Sequence, residues 1–242
     1  MALVSITVGN MFLEQAKDLS GLFNVLRDAA VLDAIFVSVS ATTSSTLISL
    51  LLGVPLAYVL ARHSFLGSSV IEGIMDVPMM IPHIVAGIAL YEVFMQSGLV
   101  GSVFNALHIG FRDTFLGVVL AMLFMSFPFL VNTTKEGFKS IDPRLENVSR
   151  SLGISQWRTF QRVTLPLSYR FILSGVVQCW ARGISEFTAV LVLAYFPKSA
   201  PILIYEKFTI YGISASRPIS VLLIVICAGV FALLRVLRGR KR

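Results

Sequence analysis

Charged side chains are scarce. Only 14% of the 242 residues are Asp, Glu, Lys or Arg, against 56% hydrophobic. That is too little charge to cover a water-soluble domain of this length. Acidic residues are the scarcer sign: 13 Asp and Glu stand against 20 Lys and Arg, for a net charge of +7. The surplus cations gather in segments between apolar runs, which argues for membrane topology over a nucleic-acid partner. Cysteine is nearly missing. The two present, Cys179 and Cys227, lie in apolar runs and are expected to be buried free thiols, neither a metal site nor a redox pair. The three histidines, His63, His83 and His108, are scattered. No Gly-x-x-x-x-Gly-Lys-(Ser/Thr), His-Glu-x-x-His or Gly-x-Ser-x-Gly run occurs. The expectation is therefore no catalytic residue, no bound metal and no cofactor held by this chain. A secretory signal is also not expected, because the apolar stretch at 3–8 is short and has no basic flank.

What the chain does have is long apolar runs. About 20 apolar residues cross a bilayer as a helix. Five such runs stand at about 33–61, 70–95, 114–134, 171–196 and 219–236, so the expected fold is an all-α integral membrane protein, one domain over 1–242. In about 1–30, Glu14, Lys17, Asp18, Arg27 and Asp28 interrupt the apolar residues, and an amphipathic segment on the membrane surface is expected there. The first span is rich in hydroxyls from Ser38 to Ser49, and Gly53, Ala57 and Ala61 recur every fourth residue, a ridge on which another helix can pack closely. The second carries Asp76, Pro78, Pro82 and His83. Proline inside a span frees carbonyls that neighbouring protein must satisfy. His83 then reads either as pore-lining or as part of a kinked structural helix. The fourth span holds Arg182 and Glu186 near its middle, at helical i, i+4 spacing. A charge at the bilayer centre costs about 2.5–3.5 kcal/mol, so that face should turn to a subunit interface or a wet pathway. The runs at about 96–113 and 197–218 are expected as outer loops.

The most informative stretch is polar and lies at about 135–170. Asp142 can cap a helix whose first turn suits Pro143, and Leu145, Val148 and Leu152 share one face of it. Gly153 can end that helix in the left-handed conformation. Ser155 can cap a second helix with Trp157, Phe160 and Val163 on its apolar side, which Leu165-Pro166 is expected to stop. Cations crowd here (Lys135, Lys139, Arg144, Arg150, Arg158, Arg162 and Arg170) and at the carboxyl end (Arg235, Arg238, Arg240, Lys241 and Arg242). Both segments are expected to be cytoplasmic. Five spans then place the amino terminus outside.

Gly153 followed at fixed spacing by Val163, Leu165 and Pro166 resembles the loop of ABC-importer permease subunits that opens with Glu-Ala-Ala. Asn147, Val148 and Ser149 stand at those opening positions, with the acid, Glu146, one place earlier. Gly53 to Arg62 is similar to the first helix of the same family. Asp76 to His83 resembles the broken helix of molybdate-, tungstate- and sulfate-type permeases. Trp180 to Val190 resembles the Arg-x-x-(Gly/Ser)-Glu-Phe segment of oxyanion permeases, with Thr188 where glycine is usual.

The resemblance implies a fold of up to six spans and a cytoplasmic coupling loop that docks a separate ATPase. Its docking residues would be Leu145, Glu146, Asn147, Val148, Leu152, Gly153 and Trp157. It implies a second copy of the chain, two ATPase subunits that bind ATP and magnesium, and an external oxyanion-binding protein. The setting is the cell membrane of a prokaryote. The cargo is molybdate or tungstate, with sulfate or thiosulfate as the alternative, and His83, Arg182, Ser185, Glu186 and Thr188 are the pathway or gate candidates. For Arg182 and Glu186, structural pairing and oxyanion contact both stand open. Two readings from other classes remain: an autonomous ion-coupled carrier relaying through Asp76, His83, Arg182 and Glu186, although the sequence has no internal repeat, and a scaffold subunit without its own pathway.

Overall fold

Two short helices, α1 (Ala2–Ala16) and α2 (Leu19–Arg27), lead into the longest, α3 (Ala29–Arg62). In this computed structural model residues 2–239 are described. Next come α4 (Ser68–Met80), α5 (His83–Phe94), the short α6 (Gly101–Ala106) and α7 (Phe115–Lys139). The polar stretch forms α8 (Pro143–Ser151) and α9 (Gln156–Thr159), followed by a π-turn over Phe160–Thr164. The chain ends with α10 (Leu165–Ile184), α11 (Thr188–Leu193), α12 (Ala200–Tyr211) and α13 (Ile213–Gly239). Among the described residues there is no strand. Arg240, Lys241 and Arg242, part of the cation cluster expected at the carboxyl end, lie outside the described residues.

Short polar side chains set many helix starts by accepting N–H groups that the helix leaves unpaired. Asp18 accepts from Gly21, Asp28 from Ala30, Thr114 from Gly117 and Asp142 from Arg144. The centre of the bundle is α3 packed on α7 and α10. Small residues allow the approach: Gly53 lies against Leu130 and Val131, and Gly183 against Thr42. The hydroxyl-rich half of α3 turns inward, with Ser38, Thr42, Ser45 and Ser49 fully buried. Ser45 satisfies itself on the Thr42 carbonyl at 2.9 Å, and Ala200 N–H donates to Ser38 Oγ at 2.7 Å, which ties α12 to α3.

Of the five expected spans, the second is broken, as its likeness to a broken helix implied, and the fourth, expected as one helix, is broken too. Three helices are long and apolar enough to cross a bilayer: α3, α7 and the Ile213–Leu233 part of α13. The second expected span is α4 and α5 with a bend of 116° between them, a break rather than a kink. Proline explains it. Pro82 has no N–H and forces Ile81 into extended backbone (ψ 149), so the helix cannot run on. The bend leaves an apolar cavity of about 590 Å³ between α4–α5 and α3–α7, lined by Leu56, Met75, Leu90 and Phe124 among others.

The fourth expected span, 171–196, is also broken: α10 ends at Ile184 and α11 starts at Thr188. Arg182 and Glu186 therefore sit at the break and not in mid-helix. Leu165-Pro166 does not stop the second elbow helix. Pro166 lies in the first turn of α10, and the backbone stays helical from α9 through the π-turn, with Leu165 N–H bonded to Phe160 O. The Pro166 ring would collide with the carbonyl four residues back, and widening the turn by one residue avoids this. Lys135 and Lys139, expected in the loop, belong to α7. The run 197–218, expected as a loop, is largely α12, packed on α13 and α3. The amino-terminal segment is helical, and α1 and α2 both lie against α13.

At the end of the bundle away from α8, Lys198 Nζ lies 2.5 Å from Glu206 Oε2 and Tyr195 OH donates to the same oxygen at 3.0 Å. The Lys198 hydrogen bond holds the Glu206 carboxyl below its usual 4.5, against the opposing effect of burial. Because the folded value lies below the unfolded one, this clamp stabilises fully above the usual carboxylate range and is lost as pH falls through the depressed value. The thermal midpoint of the detergent-solubilised protein should thus fall on acidification below about pH 4.5, and Lys198→Met should shallow that dependence. In α7, a Cβ at Gly137 would run into the Phe171 side chain at its root. Gly137→Ala should cost about 1–3 kcal/mol by overpacking, seen as a lower unfolding midpoint. An unchanged midpoint would contradict this packing.

Candidate functional site

One end of the bundle is closed by the elbow α8–α9. Gly153 (φ 81) takes the left-handed conformation past the end of α8. Its N–H bonds Arg150 O at 2.9 Å and Ile154 N–H bonds Ser149 O at 3.3 Å, which closes the helix end with paired turns. Ser149 Oγ and Thr159 Oγ1, 2.9 Å apart and buried, tie α8 to α9. On the outer side Leu145, Val148, Leu152 and Trp157 are 48%, 60%, 76% and 65% exposed, apolar side chains with no cover among the described residues. Asn147 and Gly153 are exposed beside them. Trp157 stacks on Phe160 at 5.7 Å between ring centroids.

Glu146 is the exception in that set: it is buried on the opposite side of α8. Its Oε1 accepts from Arg62 Nε and from Thr164 Oγ1, each at 2.9 Å, and its Oε2 from Tyr58 OH at 3.2 Å. Arg62 Nη2 also donates to Ile141 O at 3.1 Å. Arg62, Tyr58 and Thr164 were not foreseen as partners. The sequence signals were an arginine closing an apolar span and three acids, Glu136, Asp142 and Glu146, in a cation-rich stretch.

The second site lies where the two broken helices meet. α5 packs on α11, close enough that Gly87 could not carry a Cβ without meeting Ala189 and Val192. His83 opens α5, and its Nε2 is 2.8 Å from Arg182 Nη2. Arg182 Nη2 is also 2.7 Å from Glu186 Oε2, and His83 Nδ1 lies 3.5 Å from that oxygen. Glu186 is fully buried, and its Oε1 accepts the Ala189 N–H at 3.0 Å, satisfying a donor at the start of α11. Oε2 has no aligned hydrogen-bond donor, so its contact with Arg182 is Coulombic. Ser185 is exposed and donates to Arg182 O at 3.0 Å, and Thr188, half-buried, is the first residue of α11. The structure thus brings His83, Arg182 and Glu186 into direct contact, with Ser185 and Thr188 on the connecting backbone.

A third polar feature joins α4 to α7. Lys135 Nζ is 3.1 Å from Glu72, and Asn132 Nδ2 donates to Asp76 at 2.7 Å. Asp76 was noted in the sequence; its partner Asn132 and the Glu72–Lys135 pair were not. Among the described residues no group of acidic, histidine and cysteine side chains could hold a metal.

Long apolar helices, together with two broken ones whose ionisable residues face each other across the breaks, mark a multi-pass membrane protein. The comparisons narrow the class. Residues 49–242 match the model of the binding-protein-dependent transport system inner membrane component. The chain is 44% identical over 241 residues to the molybdate/tungstate transport system permease protein WtpB of Thermococcus kodakarensis, covering 100% of this chain and 92% of that one. It is 36% identical over 186 residues to a probable sulfate transport system permease protein cysT of Chlorokybus atmophyticus, covering 75% of this chain and 65% of that one. The fold is similar to that of a bacterial alginate ABC transporter solved with a pentasaccharide-bound periplasmic protein (TM-score 0.68, 16% identity, 98% of this chain and 91% of that one). It is also similar to the MetNI methionine ABC transporter (TM-score 0.66, 13% identity, 87% and 93%). The chain belongs to the family of binding-protein-dependent transport system inner membrane components. It is a permease subunit, not an enzyme.

The buried pair gives a direct prediction. Arg182→Met leaves the Glu186 carboxylate without its counter-charge and should cost about 3–5 kcal/mol, while Arg182→Met with Glu186→Gln should recover most of that loss. Unfolding of the solubilised variants measures both, and equal losses in the single and double variants would contradict the pairing.

Proposed function

We propose that this chain is the membrane half of an ATP-driven importer of molybdate or tungstate. The observation that carries the reading is the 44% identity, over 100% of this chain and 92% of theirs, to permeases of that name. Two copies form the pathway, two cytoplasmic ATPases dock on the elbows, and an external binding protein delivers the anion. The cations Arg144, Arg150, Arg158 and Arg162 support a cytoplasmic elbow. Docking falls to Leu145, Val148, Leu152 and Trp157, because an uncovered apolar face beside cations suits a soluble partner's groove. Asn147 flanks that face, and Gly153 sets its angle.

Transport then follows from switching between inward- and outward-open states. Closure of the ATPase pair pulls the elbows together, and the attached helices α3, α7 and α10 move with them. ATP drives the switch only through its different free energy of binding to the two states. At the breaks, Arg182 is the cation an oxyanion meets, with His83 against it, Ser185 and Thr188 beside it and Glu186 as its resting counter-charge. Arg182 keeps 18% of its side-chain surface, so its guanidinium can meet an oxyanion while it stays paired with the buried Glu186.

The test is ATP hydrolysis by the reconstituted transporter with its binding protein. Molybdate and tungstate should stimulate it and sulfate should not; stimulation by sulfate alone would overturn the cargo. Leu152→Glu places a charge on the docking face and should remove the ATPase from the purified complex while leaving the permease folded. Full co-purification would contradict docking there.

A further inference from the structure

We infer that Glu146 is a positioning residue: it locks the coupling elbow to α3 and to the π-turn, so that elbow motion is passed to the spans. The inference rests on the proposed docking of an ATPase at the elbow. The motive is where the carboxylate points. Every other side chain of the expected docking set is exposed, yet Glu146 and Arg62 keep only 10% and 9% of their side-chain surface. A buried ion pair adds little net stability over apolar packing; its usual contribution is to fix one arrangement. This one is fully furnished, with donors from Arg62, Thr164 and Tyr58 on two oxygens.

The donors belong to separate elements. Arg62 is the last residue of α3, and it also holds the Ile141 carbonyl on the strand of chain between α7 and α8. Tyr58 lies one turn earlier on α3, its ring edge-on to Phe138 of α7 (5.5 Å) and Phe160 of the π-turn (5.0 Å). Thr164 is the last residue of the π-turn, where the helix is already widened and most able to change its bonding. Without the carboxylate, α8 would lose its tie to α3 and to Thr164, and would be held by the short connections 140–142 and 152–155 and the Ser149–Thr159 bond to α9. A pull on its outer face could then be taken up in those turns. With it, displacement of α8 must carry the inner ends of α3 and α10.

The experiment uses the reconstituted transporter with its ATPase and binding protein, and reads anion uptake per ATP hydrolysed. Thr164→Val and Tyr58→Phe each remove one donor without touching the outer face, and Glu146→Gln removes the charge. All three should keep the ATPase in the complex and lower the ratio, with Glu146→Gln falling on the order of tenfold and Glu146→Asp recovering part of it. If Thr164→Val and Tyr58→Phe both keep the wild-type ratio, the lock is overturned even if the Glu146 variants fail to fold. If Glu146→Gln instead releases the ATPase, Glu146 is a docking contact and the inference is wrong. A wild-type chain that binds no ATPase would overturn the proposed function, and this inference with it.

Discussion

Hydrocarbon offers backbone groups no hydrogen-bond partner, and that constraint governs this structure. A helix can be broken at membrane depth only where protein covers the break. Among the described residues two of the expected spans are broken, at Ile81-Pro82 and at Ser185 to Phe187, and the breaks face each other. Glu186 serves both needs at once. One carboxylate oxygen takes a free N–H of α11, and the other sits against Arg182, which in turn touches His83 at the start of α5. The charges that look costly in an apolar sequence are what the open backbone requires.

The elbow obeys a related rule. An apolar helix face is stable when something covers it, and this pair turns Glu146 and Ser149 inward and leaves its apolar side chains out. Glu146 and Ser149 hold it to the bundle by hydrogen bonds, while Leu145, Val148 and Leu152 remain uncovered. Such an inversion fits a subunit that is incomplete alone. On the proposed function, the motor supplies the missing cover.

Much of this was legible in the residues. The caps at Asp142 and Ser155 and the left-handed Gly153 follow from local chemistry, and the structure has all three. The inward turn of the hydroxyl-rich half of α3 follows from what Ser and Thr can bond to in a helix. The breaks were harder. Apolar length reports how much chain fits in a membrane, not whether it runs straight, so 171–196 read as one helix although Ile184 ends it. Pro166 read as a stop because the option of widening a helix by one residue leaves no trace in sequence. The partners of Glu146 were beyond reach for another reason. Arg62 and Glu146 are 84 residues apart, and nothing local says which acid a lone arginine will meet.

The account stands or falls on what lies over the elbow in the assembled complex. A photo-crosslinking side chain placed at Val148, which is 60% exposed, would report it in whole cells. The account predicts a single adduct with a cytoplasmic ATPase subunit, stronger when the nucleotide-bound state is trapped. Adducts with lipid alone, or labelling of that position from the cell exterior, would contradict it.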